Sequence, residues 1–332
     1  MDRCARLRVA KAPNCLCGGH GWTNGNLNKM MMKRIYLLAL VALSLGACAP
    51  KSAAPVYEGR SLNGLFSFLM EHQSPDTPRS RVYVVAHRAN TAEGQAAKVP
   101  DNSLPGIELS VKHGVDMVEL DVRTTKDGVL VLCHDRTIDA STTGHGPVAD
   151  YTLDELRQFD MQKDGQVWTD EDGRTVKMPT LAEALEACRG RIWVNLDVKK
   201  ADLPLLVKTV EDCGMEDEVM LFTGQAAVVD SLNPRIAIHP YIHKPESVGK
   251  YAAFNAHLFQ YGWDAYVGAN VNLAREVRAR GGLTYSNYLF IEEPCLRGDT
   301  RILDMFIESE TDFVQTNYPE PVMAYLRRKG LR

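Results

Sequence analysis

"VELDVRTTKDGVLVLCHD", residues 118–135, is the stretch on which the fold turns. Val118, Leu120 and Val122 alternate with Glu119 and Asp121. Successive side chains on a strand point to opposite faces, so the two acids share one face. Lys126-Asp127-Gly128 then turns the chain, and a second apolar run ends on His134-Asp135, which predicts an irregular or hairpin strand. The segment "RIWVNLDVK" (191–199) repeats the pattern, with Asn195, Asp197 and Lys199 on one face against Val194, Leu196 and Val198. Either segment alone reads equally well as an amphipathic surface strand.

Their surroundings favour a buried position. From "RVYVVAH" (81–87) to "DFVQTN" (312–317), strand-like runs alternate with amphipathic helical stretches such as "NSLPGIELSVKHG" (102–114), "TLAEALEACRG" (180–190) and "PEPVMAYLRRKG" (319–330). Such alternation implies parallel strands with helices outside. Nine strand-like runs for eight places, one of them the hairpin return, predict a (β/α)8 barrel of the TIM type. No GxGxxG follows the first strand, which argues against a dinucleotide-binding sheet. Barrel strands are buried on both faces, so polar residues near their C-terminal ends line a site.

Composition excludes other classes. The chain is 45% hydrophobic and 24% charged with a net charge of −4, so it has no basic bias suited to nucleic acid. Four cysteines, Cys133, Cys188, Cys213 and Cys295, show no zinc-ligand spacing, and free thiols are the favoured reading.

"MMMKRIYLLALVALSLGACAP" (30–50) has a basic start, an apolar run too short to span a bilayer, and then small residues. Its end, "LGAC", resembles the lipobox of bacterial lipoproteins, which implies lipidation at Cys48 and an exported protein anchored to a membrane on the periplasmic side or in the cell envelope. The expected division is a start-site extension (1–29), a signal peptide (30–47), a tether with a short helix (48–80) and the barrel (81–332).

Carboxylates gathered at a barrel mouth repel one another and resist burial, and a hard divalent cation such as Ca²⁺ or Mg²⁺ relieves this with oxygen ligands. Glu119, Asp121 and Asp197 are the candidate metal ligands. His87 and His134, each ending a strand-like run, suit general acid and base work. Arg88 and Lys199 supply positive charge for a phosphate. Together they point to cleavage of a small-molecule phosphodiester. Tyr285 and Asn287, at the end of a late strand, are placed to touch the substrate alcohol, whereas His239, His243 and His257 have no evident partner.

These motifs, in order, resemble the glycerophosphodiester phosphodiesterase family. "HRAN", "PDNS", "ELD", "TKDG", "HD", "MPTLAEAL", "NLDVK" and "TNYPEP" follow its HRG, PENT, E-x-D, T-x-D-G, HD, IPTLEEVL, NIEIK and T-D-x-P. The resemblance spans about residues 82–325 and implies a barrel of the PLC-like phosphodiesterase superfamily. It implies His87 and His134 as the acid/base pair, metal at Glu119, Asp121 and Asp197, and phosphate at Arg88 and Lys199. It further implies attack by the substrate's own glycerol hydroxyl, a cyclic phosphate opened by water, and release of glycerol phosphate and an alcohol.

The departures are Ala89 for glycine, Asp101 for the PENT glutamate (a possible supporting residue), Asp197 for glutamate and Asn317 for aspartate. "NTAEGQAAKV" (90–99) lengthens the loop after His-Arg and is positioned to reshape the mouth. Two alternatives stay open: a phospholipase C or D acting on intact lipid or lysolipid, and a catalytically silent phosphodiester-binding lipoprotein.

Overall fold

The computed structural model describes residues 57–72, 80–261, 271–289 and 291–332. The signal segment and Cys48 lie outside the described residues. The chain divides into two units, and the described residues all fall in the one running from Ala54 to Arg332.

Strand β1 (Tyr83–Ala86) precedes β2 (Met117–Thr124), which turns through Gly128, at φ 80°, and returns as the antiparallel β3 (Leu130–Leu132). The hairpin read from Lys-Asp-Gly is therefore present, and β3 hangs off the barrel. A small hairpin, β4 (Gln162–Lys163) and β5 (Gln166–Val167), follows. The remaining strands are β6 (Trp193–Lys200), β7 (Val219–Phe222), β8 (Ala237–His239), β9 (Tyr241–Ile242), β10 (Leu258–Tyr261), β11 (Leu283–Asn287) and β12 (Phe313–Thr316).

The main path runs β8-β7-β6-β2-β1-β12-β11-β10-β9. Its pairings are parallel. Its two ends, β8 and β9, are consecutive in the chain and separated only by Pro240. Proline has no N–H for a ladder, and here it splits one barrel strand in two. Its carbonyl still accepts from Gln260 N–H at 3.1 Å. Eight places are thus filled, as in a TIM-type barrel.

Strand alternation sorts the side chains. Val118, Leu120, Val122, Val194 and Leu196 point outward into the layer beneath the helices. Met117 and Trp193 point inward with Tyr83, Val85, Met220, Leu258, Leu283 and Phe313, making a separate apolar cluster at the N-terminal end. Helix α1 (Leu62–Glu71) closes that end with Leu62, Leu65 and Phe66, spaced i, i+3, i+4 on one face. Ser61 caps it by accepting from Gly64 N–H at 3.2 Å, and Leu62 N–H donates to the Asp217 carbonyl at 2.7 Å. The segment assigned to the tether and short helix therefore contributes to the barrel's core.

Two further local features are well defined. The stretch 90–99 holds a short helix, Ala92–Ala96, capped by Thr91, and Glu320 accepts from Ala92 N–H at 2.7 Å. Its Glu93 pairs with Lys112 and His113. A single helical turn, Leu153–Leu156, is closed by a Thr152/Glu155 capping box. Among the described residues Cys133, Cys188, Cys213 and Cys295 are free thiols, the first two buried. Among the described residues no helix is long and apolar enough to cross a membrane.

Candidate active site

Register brings the acids together. In the β2–β6 ladder Glu119 lies beside Asn195 and Asp121 beside Asp197, all inward and toward the C-terminal ends. One oxygen each from Glu119, Asp121 and Asp197 falls within 4.8 Å of the others. Glu119 is 3% exposed and Asp121 fully buried. Burial first, then the neighbouring Asp121 and Asp197, raises the Glu119 carboxyl well above its usual range. Asp197 is raised too, by burial.

The trio is held from several directions. Glu119 Oε2 accepts from Arg88 N–H at 2.9 Å, a geometry that needs the turn after β1, where Arg88 and Ala89 have φ of 52° and 58°. The alanine that replaces glycine thus occupies the left-handed region glycine favours. Asn102 grips Asp121 twice, its Nδ2 donating to Oδ2 at 2.7 Å and its Oδ1 accepting the Asp121 backbone N–H at 3.0 Å. Lys199 Nζ lies 2.6 Å from Asp197 Oδ2 and 3.2 Å from Asp121 Oδ1. Burial opposes the Lys199 charge, but Asp121 and Asp197 outweigh it and raise the ammonium's pKa.

Asp121 Oδ1 is buried and accepts no hydrogen bond among the described residues. An all-oxygen trio in which Asp121 Oδ1 has only the charge of Lys199 beside it and no hydrogen bond fits a hard divalent cation.

His87 continues from β1, its Nδ1 2.8 Å from Asn317 Oδ1 and its Nε2 4.0 Å from Glu119 Oε2. Burial, reinforced by the Arg88 guanidinium, pushes the imidazole down to about 4. His134 follows β3, its side chain 36% exposed and its Nδ1 2.7 Å from Asp135 Oδ1. Arg123 donates to the His134 carbonyl at 2.6 Å and fixes that turn. A cavity of about 190 Å³ is lined by both histidines together with Arg88, Glu119, Asp197 and Lys199, and by Asn287 on its far side.

Asn287 Oδ1 is buried there without a hydrogen-bond partner among the described residues. Tyr285 is fully buried below, bonded to Gln315 and 3.5 Å from Asn195 Nδ2, so it supports the floor rather than lining the cavity. His239 is buried against Phe222 and Tyr285 and also lies outside the lining.

Asp101 sits at the rim, bonded to Lys163 Nζ at 2.5 Å and 3.4 Å from Arg88 Nη1. Burial would raise its carboxyl, but Lys163 and Arg88 prevail and hold it low. Lys163 also reaches Asn90 at 2.7 Å. The sequence reading missed Lys163, Asn102 and Glu292. Asn102 was within the quoted "PDNS"; Lys163 and Glu292 carry no local signal.

Residues 87–240 match the model of the Glycerophosphoryl diester phosphodiesterase family. That segment belongs to the glycerophosphodiester phosphodiesterase family. It contains both histidines, the carboxylate trio, Arg88, Asp101 and Lys199, and leaves out Asn287, Glu292 and Asn317.

A glycerophosphodiester phosphodiesterase of Caldanaerobacter subterraneus is 38% identical over 107 residues, 32% of this chain and 40% of that protein. The chain thus spans well under half the length of this curated relative. A Parabacteroides distasonis glycerophosphoryl diester phosphodiesterase structure aligns with a TM-score of 0.65 at 22% identity, over 81% of this chain and 92% of that one. An Oleispira antarctica phosphodiesterase, solved in complex with the product sn-glycerol-3-phosphate, aligns with a TM-score of 0.58 at 20% identity, over 74% and 96%. At these identities the structures share the fold.

Proposed function

We propose that this protein is a metal-dependent glycerophosphodiester phosphodiesterase, hydrolysing a glycerophosphodiester to glycerol phosphate and an alcohol. The observation that carries the reading is the convergence of Glu119, Asp121 and Asp197 within 4.8 Å, beside a cavity that His87, His134, Arg88 and Lys199 also line. A bound Ca²⁺ or Mg²⁺ supplies Lewis-acid stabilisation of the charge that builds on the phosphoryl oxygens.

Arg88 and Lys199 bind the phosphate, and their present carboxylate partners compensate their charge until it arrives. One histidine takes the proton of the substrate's glycerol hydroxyl as it attacks phosphorus; the other protonates the departing alcohol. Water then opens the cyclic phosphate by the reverse proton transfers. The buried Asn102 amide orients Asp121 by holding Oδ2, which leaves Oδ1, beside Lys199, to a cation.

The test is a panel of glycerophosphodiesters, lysolipids and phosphoinositides with products followed by ³¹P NMR. Release of glycerol phosphate from glycerophosphodiesters is expected. Turnover of lysolipids alone would favour the phospholipase reading, and binding without turnover would favour the silent one.

We propose in addition that the mature protein is a membrane-anchored lipoprotein, supported by the sequence around "LGAC". Cys48→Ser should abolish acyl mass on the mature N-terminus; an unacylated wild-type protein would contradict the anchor.

A further inference from the structure

We infer that Glu292 is a positioning residue for His87: through the Asn317 amide it fixes the imidazole in the tautomer protonated on Nδ1. Nε2 is then the bare, proton-accepting nitrogen, which makes His87 the base and leaves His134 as the acid. The kinetic consequence rests on the proposed phosphodiesterase reading; the structural one does not.

Glu292 precedes the short helix Glu293–Leu296 and is 5% exposed. Its Oε1 accepts from Thr316 Oγ1 at 2.6 Å and from the Asn317 backbone N–H, and its Oε2 accepts from Asn317 Nδ2 at 2.9 Å. Burial outweighs these donors and raises the Glu292 carboxyl above its usual range, yet all three of its contacts are with donors, so it accepts at both oxygens. With Oε1 taken by Thr316 and the Asn317 backbone N–H, Oε2 accepts the NH₂ of the Asn317 amide, which is thereby turned toward Glu292. Oδ1 consequently faces the other way, 2.8 Å from His87 Nδ1. A carbonyl oxygen only accepts, so Nδ1 must carry the proton. Nε2 lies 4.0 Å from Glu119 Oε2, next to the proposed metal and phosphate positions.

The resemblance places an aspartate at 317. Here an amide stands in its place, and the carboxylate lies one residue further from the imidazole.

An isosteric exchange tests this. In Glu292→Gln the new Oε1 can keep Thr316 and the Asn317 backbone, but the new NH₂ meets the Asn317 NH₂. The conflict is relieved when Asn317 flips and donates to His87 Nδ1, which moves the imidazole proton to Nε2. Adding Asn317→Asp restores complementarity, because the new amide then donates to the new carboxylate, whose other oxygen accepts from His87.

The expected two-bond ¹H–¹⁵N spectra, with His87 assigned by His87→Gln, show Nδ1–H in the wild type, Nε2–H in Glu292→Gln and Nδ1–H again in the double variant. On the best glycerophosphodiester, Glu292→Gln should lose about 10²-fold in kcat with KM little changed, the scale of a lost general base. The double variant should recover most of that loss. An unchanged tautomer in Glu292→Gln, or a double variant as impaired as the single, would overturn the inference. If the wild type turned over no glycerophosphodiester, the functional reading would fall, and the spectra would still decide the tautomer.

Discussion

On β2, Met117 points inward at the N-terminal end beneath Leu65 and Phe66, while Glu119 and Asp121 point inward two and four residues later, beside a cavity. On β6, Trp193 and then Asn195 and Asp197 make the same progression. The two ends of one barrel therefore use the same faces of the same strands for opposite purposes. At the closed end, burial is apolar and stabilises at about 25 cal/mol per Å². At the open end, burial falls on three carboxylates and costs stability unless cations or donors compensate it. Arg88, Lys199 and Asn102 do so in part, and Asp121 Oδ1 remains without a hydrogen bond. Strand direction separates the part that stabilises from the part that reacts.

If the ends are separable, substitutions should divide cleanly between activity and stability. The largest expected effect is at the open end: His87→Ala and His134→Ala should each lower kcat by roughly 10²-fold or more, with melting temperature little changed. Steady-state kinetics on the best substrate checks this, and either variant retaining wild-type kcat would remove that histidine from its role.

Phe66→Ala at the closed end should cost about 3–5 kcal/mol of stability. The kcat of the folded fraction should stay within a few-fold of wild type. Urea unfolding paired with kinetics tests this; a large loss of kcat without loss of stability would break the division.

The smallest effect belongs to the rim. Lys163→Ala frees Asp101 to draw the Arg88 guanidinium away from the phosphate position. A partly exposed ion pair is worth about 0.2–1 kcal/mol, so KM should rise by no more than about fivefold with kcat nearly unchanged. A fall in kcat with constant KM would assign Lys163 a different task.

The residues differ in how much of this they reveal on their own. Alternation in 118–135 and 191–199 exposed the inward faces, because a strand's period of two is local. Lys-Asp-Gly exposed the hairpin for the same reason. Pro240 gave no sign of splitting the strand that closes the barrel, since closure depends on β10, about twenty residues on. The apolar stripe Leu62, Leu65 and Phe66 was visible as a helix, but its place beneath Met117 and Trp193 depends on residues far away in the chain.

The same limit applies at the site. Asp101 meets Lys163 across 62 positions, and Glu292 meets Asn317 across 25. Neither pairing has a periodic signature. The loop 90–99 was read by its length, whereas its direction is set by Glu320 and by Glu93 pairing with Lys112 and His113.

The central claim is that the open end is completed by a divalent cation on Glu119, Asp121 and Asp197. Its most direct test is the melting temperature of EDTA-treated protein against Ca²⁺ or Mg²⁺ concentration, for wild type and Glu119→Gln. A cation that binds only the folded state stabilises by about 2.7 kcal/mol at a hundred times its Kd. Wild type should therefore melt several degrees higher at saturation, and Glu119→Gln should respond only at much higher concentration. Identical melting with and without cation in the wild type, with full activity retained in EDTA, would contradict a metal at this site.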